Sequence, residues 1–417
     1  MSGWTTKKLG EVCTFRRGLT YSKGDEVEHS SKVVLRANNI SLEKNQLCFD
    51  ELKFIRDDFE IPDDKYLEKD CLLICTASGS KAHLGKVAYI DKEYDFAFGG
   101  FMGLIVPDVS LVFSRYFYYV LTAENYRKFI QRLTDGANIN NLKFSQLAEF
   151  DIPIPPLAEQ KRIVAKIDAA FEKIDKLKAN AEKNLANAKE LFQSALDEAM
   201  RPKKGWVEKR LPDISVNRDS KRVPITKSQR KSGAIPYYGA SGIVDYVKDY
   251  IFDGEYLLVS EDGANLESRT YPIAFSITGK SWVNNHAHIL EFKNGDVQAY
   301  VELYLNAISL KDFITGTAQP KLTQENLNKI PIHLPGEHAI LSGVVGRLKM
   351  IKGKLETLQQ NYERQIADCV EMRQAILREA FEGRMRTREK GKWHLPEDWE
   401  AQDKALDAEI AEDFYAD

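Results

Sequence analysis

The chain has 417 residues, 43% of them hydrophobic, so it is long enough for about two or three domains with sizeable cores. Its net charge is −3, which excludes a protein that binds nucleic acid through an overall basic surface. Because no apolar run reaches about 18 residues and the five cysteines are scattered, we expect a cytoplasmic protein with neither a membrane span nor a disulfide framework.

Residues 1–150 form the first predicted block, an α+β domain. Short apolar and β-branched runs predict strands at residues 33–35, 71–75, 86–90 and 101–106. Helices are predicted at residues 114–133 and 143–147. Cys71 and Cys75 flank the second strand and share one of its faces, so we interpret them as core residues rather than as metal ligands.

A proline-rich segment, residues 152–156, leads into a long helix. Proline is tolerated before a helix or in its first turn because its missing N–H has no helical partner there. Residues 158–200 contain neither proline nor glycine, and their apolar residues recur at heptad spacing, which is typical of a coiled coil. The predicted seam comprises Ile163, Ile167, Ala170, Ile174, Leu177, Ala181, Ala188, Leu191 and Ala195. We assign residues 151–201 to this central long helix.

The second predicted block, residues 202–329, contains strand-then-loop stretches at residues 237–242 and 257–265. It begins in a basic stretch, since residues 201–232 hold 11 Lys and Arg against 3 Asp and Glu. Such a stretch can neutralise phosphates in an acidic protein, although a solvated loop explains it equally well. His286 and His288 would share a face of a strand, and we prefer a hydrogen-bonded or packed pair over a zinc site.

A second proline-containing segment begins at Ile330 and leads into a second long helix, residues 330–385. Its predicted seam comprises Val344, Leu348, Ile351, Leu355, Leu358, Tyr362, Gln365, Cys369, Met372 and Ile376. The chain is therefore a tandem repeat, in which Trp4 matches Trp206, Gly136 to Leu142 match Gly316 to Leu322, and Ile152 matches Ile330. Residues 386–417 are interpreted as a tail with the degenerate start of a third copy.

Two helices with one apolar stripe each are expected to bury those stripes against each other, although each could also be a surface helix of its own domain. The chain contains no Walker A loop, no His-Glu-x-x-His, no Gly-x-Ser-x-Gly and no Asn/Asp-Pro-Pro-aromatic motif. A large chain with varied loops and no catalytic motif indicates a non-catalytic recognition subunit.

Several of these features together resemble the specificity subunit of Type I restriction–modification enzymes. They are Ala158-Glu159-Gln160 after the first proline segment, the tandem helices and the paired Gly-Trp starts of the blocks. The shorter motifs are Leu35-Arg36-Ala37-Asn38-Asn39-Ile40, Gly136-Ala137-Asn138-Ile139-Asn140-Asn141 and Tyr238-Gly239-Ala240-Ser241-Gly242. In the second proline segment, Gly336 and His338 stand in place of Ala158 and Gln160, so no shared contact through Gln160 is assigned to the second half.

The resemblance implies an α+β fold with two globular target-recognition domains, joined by two long helices that form an antiparallel coiled coil in a pseudo-two-fold tandem repeat. It implies that each domain reads one half of a split site on double-stranded DNA and that the helices dock two methyltransferase subunits. Those subunits carry S-adenosylmethionine, and restriction (motor-nuclease) subunits use ATP and Mg, so no cofactor is expected on this chain. A pseudo-two-fold axis also matches the dyads of duplex DNA.

The predicted DNA contacts are polar loop residues of the types that bond to base edges and phosphates. In the first block they are Arg36, Asn38, Asn39, Ser78, Ser80 and Lys81. In the second block they are Tyr238, Ser241, Glu261, Asp262, Asn284, Asn285 and His286, with Lys221, Arg222, Arg230 and Lys231 for phosphates. Ordinary turn chemistry explains the same loops, because Asn, Ser and Gly dominate turns. A coiled-coil adaptor or scaffold without DNA readout, and an enzyme with an unrecognised active site, are the alternative functions.

Overall fold

The computed structural model describes residues 4–134, 141–316 and 319–381. These residues fall into two compact units. The first holds residues up to 181 together with residues 364–381, and the second holds residues 182–363. Residues 386–417, predicted to start a third repeat, lie outside the described residues. No helix within the described ranges has the length and apolar character that a membrane crossing requires.

The first unit contains two four-stranded sheets and a strand pair. Its strands are β1 (Thr5–Lys8), β2 (Cys13–Arg17), β3 (Glu26–Val27), β4 (Lys32–Leu35), β5 (Lys53–Ile55), β6 (Leu72–Cys75), β7 (Val87–Tyr89), β8 (Phe96–Phe98), β9 (Met102–Pro107) and β10 (Asp151–Ile154). One sheet has the order β2-β9-β6-β7, the other has the order β3-β5-β4-β8, and β1 pairs with β10. The four strands predicted in this block are confirmed as β4, β6, β7 and β9.

The helix predicted at residues 114–133 is wrong as a single element. Two helices, α1 (Ser114–Val120) and α2 (Glu124–Thr134), are separated by a tight turn. In that turn the N–H of Thr122 and the N–H of Ala123 bond to carbonyls three residues back, not four. Both turn residues are buried, so the apolar pattern runs through the break and cannot reveal it. The shorter predicted helix is confirmed as α3 (Phe144–Leu147).

The first proline segment is a strand before it is a helix start. Residues 151–154, which we assigned to the long helix, form β10 and pair antiparallel with β1, and α4 (Leu157–Met200) begins only after Pro156. Pro153 is tolerated within β10 because each strand of a two-stranded pair has a free edge on which a missing N–H leaves no bond unmade. The hydroxyl of Tyr116 donates to the Pro153 carbonyl at 2.9 Å and ties α1 to this strand.

The second unit is built around one larger sheet. Its strands are β11 (Trp206–Lys209), β12 (Ser215–Asn217), β13 (Ser232–Gly239), β14 (Gly242–Val247), β15 (Phe252–Ser260), β16 (Ala274–Val283), β17 (Ala287–Phe292) and β18 (Ile332–Pro335). Its helices are α5 (Leu211–Ile214), α6 (Asn265–Ser268), α7 (Gly295–Ala307), α8 (Gln324–Lys329) and α9 (His338–Phe381). The sheet order is β12-β17-β15-β16-β13-β14, and β11 pairs with β18.

The strand pairs β1–β10 and β11–β18 are the same structural frame in two copies. Lys7 pairs with Ile152 in the first, and Lys209 pairs with Ile332 in the second. Ile152 therefore corresponds to Ile332, and the predicted match with Ile330 is wrong by two residues. Because side chains alternate with a period of two along a strand, a two-residue shift keeps the same face inward and leaves the sequence pattern unchanged. Tyr304 donates to the Pro331 carbonyl at 2.8 Å, whereas Tyr116 donates to that of Pro153, two positions further along its strand in this register.

The long helices pair antiparallel within each unit. In the first unit the N-terminal part of α4 shares a core with the C-terminal part of α9, through Ile163, Ile167, Phe171, Ile174, Cys369, Ile376, Leu377 and Ala380. In the second unit the opposite parts share a core, through Leu196, Met200, Leu341, Val345 and Leu348. The predicted antiparallel coiled coil is confirmed. Gln365, predicted in the seam, is exposed while Ile366 is partly buried, because a straight helix drifts against a strict heptad.

The start of each long helix is tied to its unit by a different side chain. Gln160 is fully buried, accepts from the Phe113 N–H at 2.8 Å, and donates to the carbonyl of Leu111 at 2.9 Å. In the second unit Ser342 of α9 donates to Asp296 in the first turn of α7. The absence of a Gln160 equivalent is therefore offset by another polar contact near the start of α9.

Cys71 and Cys75 are core residues, as predicted. Both are buried in one apolar cluster of the first unit and are free thiols. Burial raises the pKa of the Cys75 thiol to about 11, so the thiol stays protonated near neutral pH.

Candidate nucleic-acid interface

In the first unit, β6 leads into a loop that is held by hydrogen bonds to Asn141 and Leu142, in the segment between α2 and α3. The Leu142 N–H donates to the Thr76 carbonyl at 2.7 Å, and Ala77 forms a bridge with Asn141. The Thr76 N–H donates to the Phe101 carbonyl at 2.9 Å. We call residues 76–81, 99–101 and 141–143 the first loop edge. Residues 136–140 of the predicted Gly136–Asn141 motif lie outside the described residues.

The second unit repeats this arrangement after β15. The Leu322 N–H donates to the Glu261 carbonyl at 2.8 Å, and Asp262 forms a bridge with Lys321. The Glu261 N–H donates to the His286 carbonyl at 2.9 Å. We call residues 261–263, 284–286 and 320–322 the second loop edge. The two edges thus share three backbone contacts although the sheets behind them differ.

Ser78, Ser80 and Lys81 lie on the first loop edge. Ser78 is partly buried and its hydroxyl accepts from the Ser80 N–H at 3.2 Å. Lys81 is exposed, and its ammonium group donates to the Thr134 carbonyl at the end of α2 at 3.1 Å. The serine hydroxyls retain bonding capacity for a ligand, whereas the lysine is partly engaged by α2.

Arg36, Asn38 and Asn39 form a separate turn after β4. β4 and β8 are parallel, and their last residues, Leu35 and Phe98, pair with each other. The turn after β4 therefore begins next to residues 99–101, which follow β8 and belong to the first loop edge. Asn39 is 1% exposed, accepts from the Arg36 N–H at 2.8 Å and donates to the carbonyls of Cys48 and Glu51. We therefore assign Asn39 to holding the turn. Asn38 is exposed and Arg36 is partly exposed.

Several predicted residues of the second block lie together on the second loop edge. His286 Nδ1 lies 2.9 Å from the Asp262 carboxylate, and the His286 N–H donates to Asn284 Oδ1 at 2.8 Å. The Asn284 N–H donates to the Tyr238 carbonyl at 3.0 Å, which brings β13 to the same place. Asn285 is exposed. Ser241 is exposed in the turn between β13 and β14, which the Ser260 hydroxyl fixes by donating to Ala240.

His286 and His288 do not share a face, contrary to the prediction. His286 is exposed in the loop before β17, whereas His288 lies within β17 and is 1% exposed. The strand begins only at Ala287, so the alternation of side chains that we assumed does not extend to His286. His288 Nδ1 lies 2.6 Å from Asp219, and its Nε2 lies 2.8 Å from the Leu322 carbonyl.

A buried ionic network holds the second loop edge. Arg222 donates to Glu261 at 2.6 Å and lies 3.5 Å from Asp219, while Lys321 lies 3.3 Å from Glu261. Burial by itself would raise the pKa of the Asp219 carboxyl, but the hydrogen bond and charge of His288 and the charge of Arg222 hold that pKa below its usual value. The network joins the chain before β13, β15, β17 and the segment before α8.

Asp219, Glu261 and His288 also form the one cluster of metal-type side chains within the described ranges. Their chemistry fits an ionic network better than a cation site. His288 Nε2 faces a carbonyl and must carry a proton, and Arg222 and Lys321 already neutralise the carboxylates. A divalent cation there would be repelled by two neighbouring positive groups.

The four predicted phosphate contacts fall into two kinds. Arg222 belongs to the ionic network, and Arg230 pairs with Asp245 at 3.1 Å while its guanidinium lies 4.3 Å from the Tyr237 ring centroid. Lys221 and Lys231 are exposed. Much of the basic stretch is thus used to hold the second unit together, and the two lysines are its better candidates for phosphate contact.

Sequence reasoning missed the residues that line the first loop edge from distant parts of the chain. Arg17, Phe101, Asn141 and Lys143 border one shallow cleft there. They come from β2, the turn before β9 and the segment before α3, so no local motif connects them. The backbone pairing of β2 with β9, and of Ala77 with Asn141, brings them together.

Comparison with known proteins identifies a matching family, two relatives and one similar solved structure. Residues 1–186 and 203–358 match the sequence profile of the family described as Type I restriction modification DNA specificity domain. The Type I restriction enzyme EcoKI specificity subunit of Escherichia coli K12 is 33% identical over 204 residues, which cover 48% of this chain and 43% of that protein. The StySPI specificity subunit of Salmonella potsdam is 32% identical over 201 residues, covering 48% and 42%.

These alignments therefore span less than half of the length of either relative. Among solved structures, a chain from a study of complex assembly and conformational transition of the type I R-M system superimposes with a TM-score of 0.74. The superposition covers 91% of this chain and 98% of that chain at 16% identity, so it supports the fold alone.

Proposed function

The chain belongs to the Type I restriction modification DNA specificity family, and from this membership we propose that it reads a two-part site on double-stranded DNA for a type I restriction–modification complex. The first unit reads one half-site and the second unit reads the other. Their different sheets and loop side chains suit two different half-sites.

The observation that carries this proposal is the repeated loop edge. Both edges are fixed by the same backbone contacts, from Leu142 to Thr76 and from Leu322 to Glu261. Fixed loops lose little conformational entropy when they bind, so they are suited to placing donors and acceptors against base edges.

The proposed base contacts are the exposed and partly exposed polar groups near these edges. They are Arg36, Asn38, Ser78 and Ser80 in the first unit, and Tyr238, Ser241, Asp262, Asn285 and His286 in the second. Lys81, Lys221 and Lys231 are proposed phosphate contacts. Asn39, Arg222, Arg230, Glu261 and Asn284 support the loops through their internal bonds.

We further propose that the long helices dock two methyltransferase subunits, and that restriction subunits join through that complex. S-adenosylmethionine would be held by the methyltransferase subunits, and ATP and Mg by the motor-nuclease subunits. The chain itself would be non-catalytic and cytoplasmic. Support comes from its relatives, which are named specificity subunits of restriction enzymes.

The test is to express the chain with its methyltransferase partner in cells and to map the methylated adenines. We expect a consensus of two short half-sites with a fixed spacer, and no methylation when the chain is omitted. Methylation that does not depend on the chain, or a single uninterrupted consensus, would contradict the proposal. In a second arm the purified chain alone should incorporate no labelled methyl groups into DNA.

A further inference from the structure

Phe101 is an exposed aromatic residue on a rigid turn. Its side chain is 71% exposed, although its backbone carbonyl accepts from the N–H groups of Thr76 and Ala77 at 2.9 and 3.0 Å. The Thr76 hydroxyl also donates to this carbonyl at 3.0 Å. The next residue, Met102, is 1% exposed and begins β9. The ring is therefore presented to solvent from a fixed position, and its exposure is not the result of a loose loop.

The second unit places His286 at the corresponding position. Cys75 at the end of β6 pairs with Met102, and Ser260 at the end of β15 pairs with Ala287. Phe101 and His286 each precede these paired residues, and the carbonyl of each accepts from the N–H of the first residue of its loop edge, Thr76 or Glu261. Both loop edges thus carry a ring at the same place. Only His286 was predicted from the sequence, because an isolated Phe gives no polar signal.

The surroundings of Phe101 are polar and cationic. Arg17, Asn141 and Lys143 are exposed and border the same cleft. A protein-docking surface is usually a contiguous apolar patch, which a single ring among these side chains does not form. Positive side chains beside one apolar group suit the major groove of DNA, where phosphates flank the bases and the C5-methyl group of thymine is the apolar feature.

We propose that Phe101 determines specificity by packing against the C5-methyl group of a thymine in the half-site that the first unit reads. This inference rests on the proposed function. His286 occupies the equivalent place for the other half-site, where its imidazole, next to Asp262, offers hydrogen bonds in place of an apolar face. The two half-sites therefore differ in chemistry at this position, one requiring a methyl group and the other a polar base edge.

The experiment uses the full chain assembled with its methyltransferase partner and duplexes that contain its mapped two-part site. Each thymine of the site is replaced in turn by deoxyuridine, which lacks only the methyl group. For the wild type we expect about a fourfold loss of affinity at one thymine, the effect of one buried methyl group. For Phe101→Ala the same replacement should have no effect, and Phe101→Leu should keep part of it.

Val109→Ala is the matched control, because Val109 is 69% exposed in the same unit and lies outside the first loop edge. This variant should respond to deoxyuridine as the wild type does. His286→Ala should relax selectivity in the other half-site only. Thermal unfolding of each variant checks for a folding defect. The deoxyuridine scan of the wild type tests for a thymine methyl contact even if a variant fails to fold.

The inference is overturned if no thymine loses more affinity in the wild type than in Phe101→Ala, or if Phe101→Ala weakens all duplexes equally. These results leave the proposed function intact, because the wild type would still select its site. A wild type without any sequence preference would instead overturn the proposed function itself, and the inference with it.

Discussion

The two loop edges have the same backbone contacts but are supported by different chemistry. Behind the second edge, His288 reaches from β17 to Asp219 and to the Leu322 carbonyl, within a buried ionic network. Gly103 of β9 is at the position equivalent to His288 of β17. Each follows the residue, Met102 or Ala287, that pairs with the last residue of the neighbouring strand. The space beside Gly103 is filled by Phe144, since a Cβ on Gly103 would lie 2.7 Å from the Phe144 ring.

The first support is therefore an aromatic stack. Phe144 lies on Phe15 with ring centroids 4.9 Å apart and an interplanar angle of 13°, and the Arg17 guanidinium lies 5.7 Å from the Phe144 ring centroid. Apolar packing tolerates partial loss, whereas a buried ion network needs all of its members. The same loop geometry is thus stabilised by an ionic network in one unit and by aromatic packing in the other, and substitutions should affect the two differently.

The largest expected effect is the loss of one member of the ionic network. Asp219→Ala removes a carboxylate that is 8% exposed and leaves the His288 imidazole and the Arg222 guanidinium without this partner. We expect the free energy of unfolding of the second unit to fall by about 3–5 kcal/mol, and that of the first unit to stay unchanged. Hydrogen exchange of the full chain should show lost protection at the Leu322 N–H and unchanged protection at the Leu142 N–H.

Asp245→Ala serves as the control for that substitution. Asp245 pairs with Arg230, but its side chain is 35% exposed. Solvent screens a more exposed pair of this kind, so the loss of stability should be much smaller than for Asp219→Ala. Equal losses in the two variants would mean that the network does not support the second loop edge.

Substitutions in the aromatic stack behind the first loop edge should destabilise the protein less, and the cost of one should depend on whether the other is present. Phe144 is partly buried, so Phe144→Ala should cost about 2 kcal/mol, below the ~3–5 kcal/mol of a fully buried ring. Gly103→Ala should cost about 1–3 kcal/mol by overpacking against that ring. In the Phe144→Ala background the Gly103→Ala cost should largely disappear. Additive costs in a double-mutant cycle by urea unfolding would argue against direct contact as the cause.

Acidic pH should destabilise the second loop edge, which the ionic network holds, more than the first, which aromatic packing holds. The pKa of Asp219 is lower in the folded protein, so its contribution to stability is complete above the unfolded value of about 4 and is lost as the pH falls through the folded pKa. Lowering the pH from 6 to 3 should therefore reduce protection of the Leu322 N–H more than that of the Leu142 N–H. Asp219→Asn should remove this difference, and parallel losses at both amides would refute it.

The exposed lysines should have the smallest effect on stability. Lys143→Met on the first loop edge and Lys221→Met near the second should each leave the free energy of unfolding within about 0.5 kcal/mol of the wild type. If each lysine contacts one phosphate, each variant should lower the salt dependence of DNA binding by about one unit. The consensus should not change. A shifted consensus would make the lysine a base contact.

The coiled coil was predictable because a heptad is a short local period, and the tandem repeat was predictable because short motifs recur in the two halves of the sequence. The heptad seam indicated both long helices, but the assigned starts at residues 151 and 330 precede the observed starts by six and eight residues, because a strand comes first in each case. The two-residue error at Ile330 shows the limit, since a strand pattern is unchanged by that shift. The ionic network joins Asp219, Glu261 and His288 through sheet pairing, which no spacing in the sequence records.

The distribution of α9 between the units has a consequence for synthesis of the chain from its N-terminus. The core of the first unit includes Cys369, Ile376, Leu377 and Ala380, which are made after the whole second unit. The last buried residue of the second unit within the described ranges is Tyr362, which is made before any of them. The core of the unit that comes first in the sequence is therefore completed after that of the second, and its half of α4 carries an uncovered apolar stripe until residues 369–380 have been made.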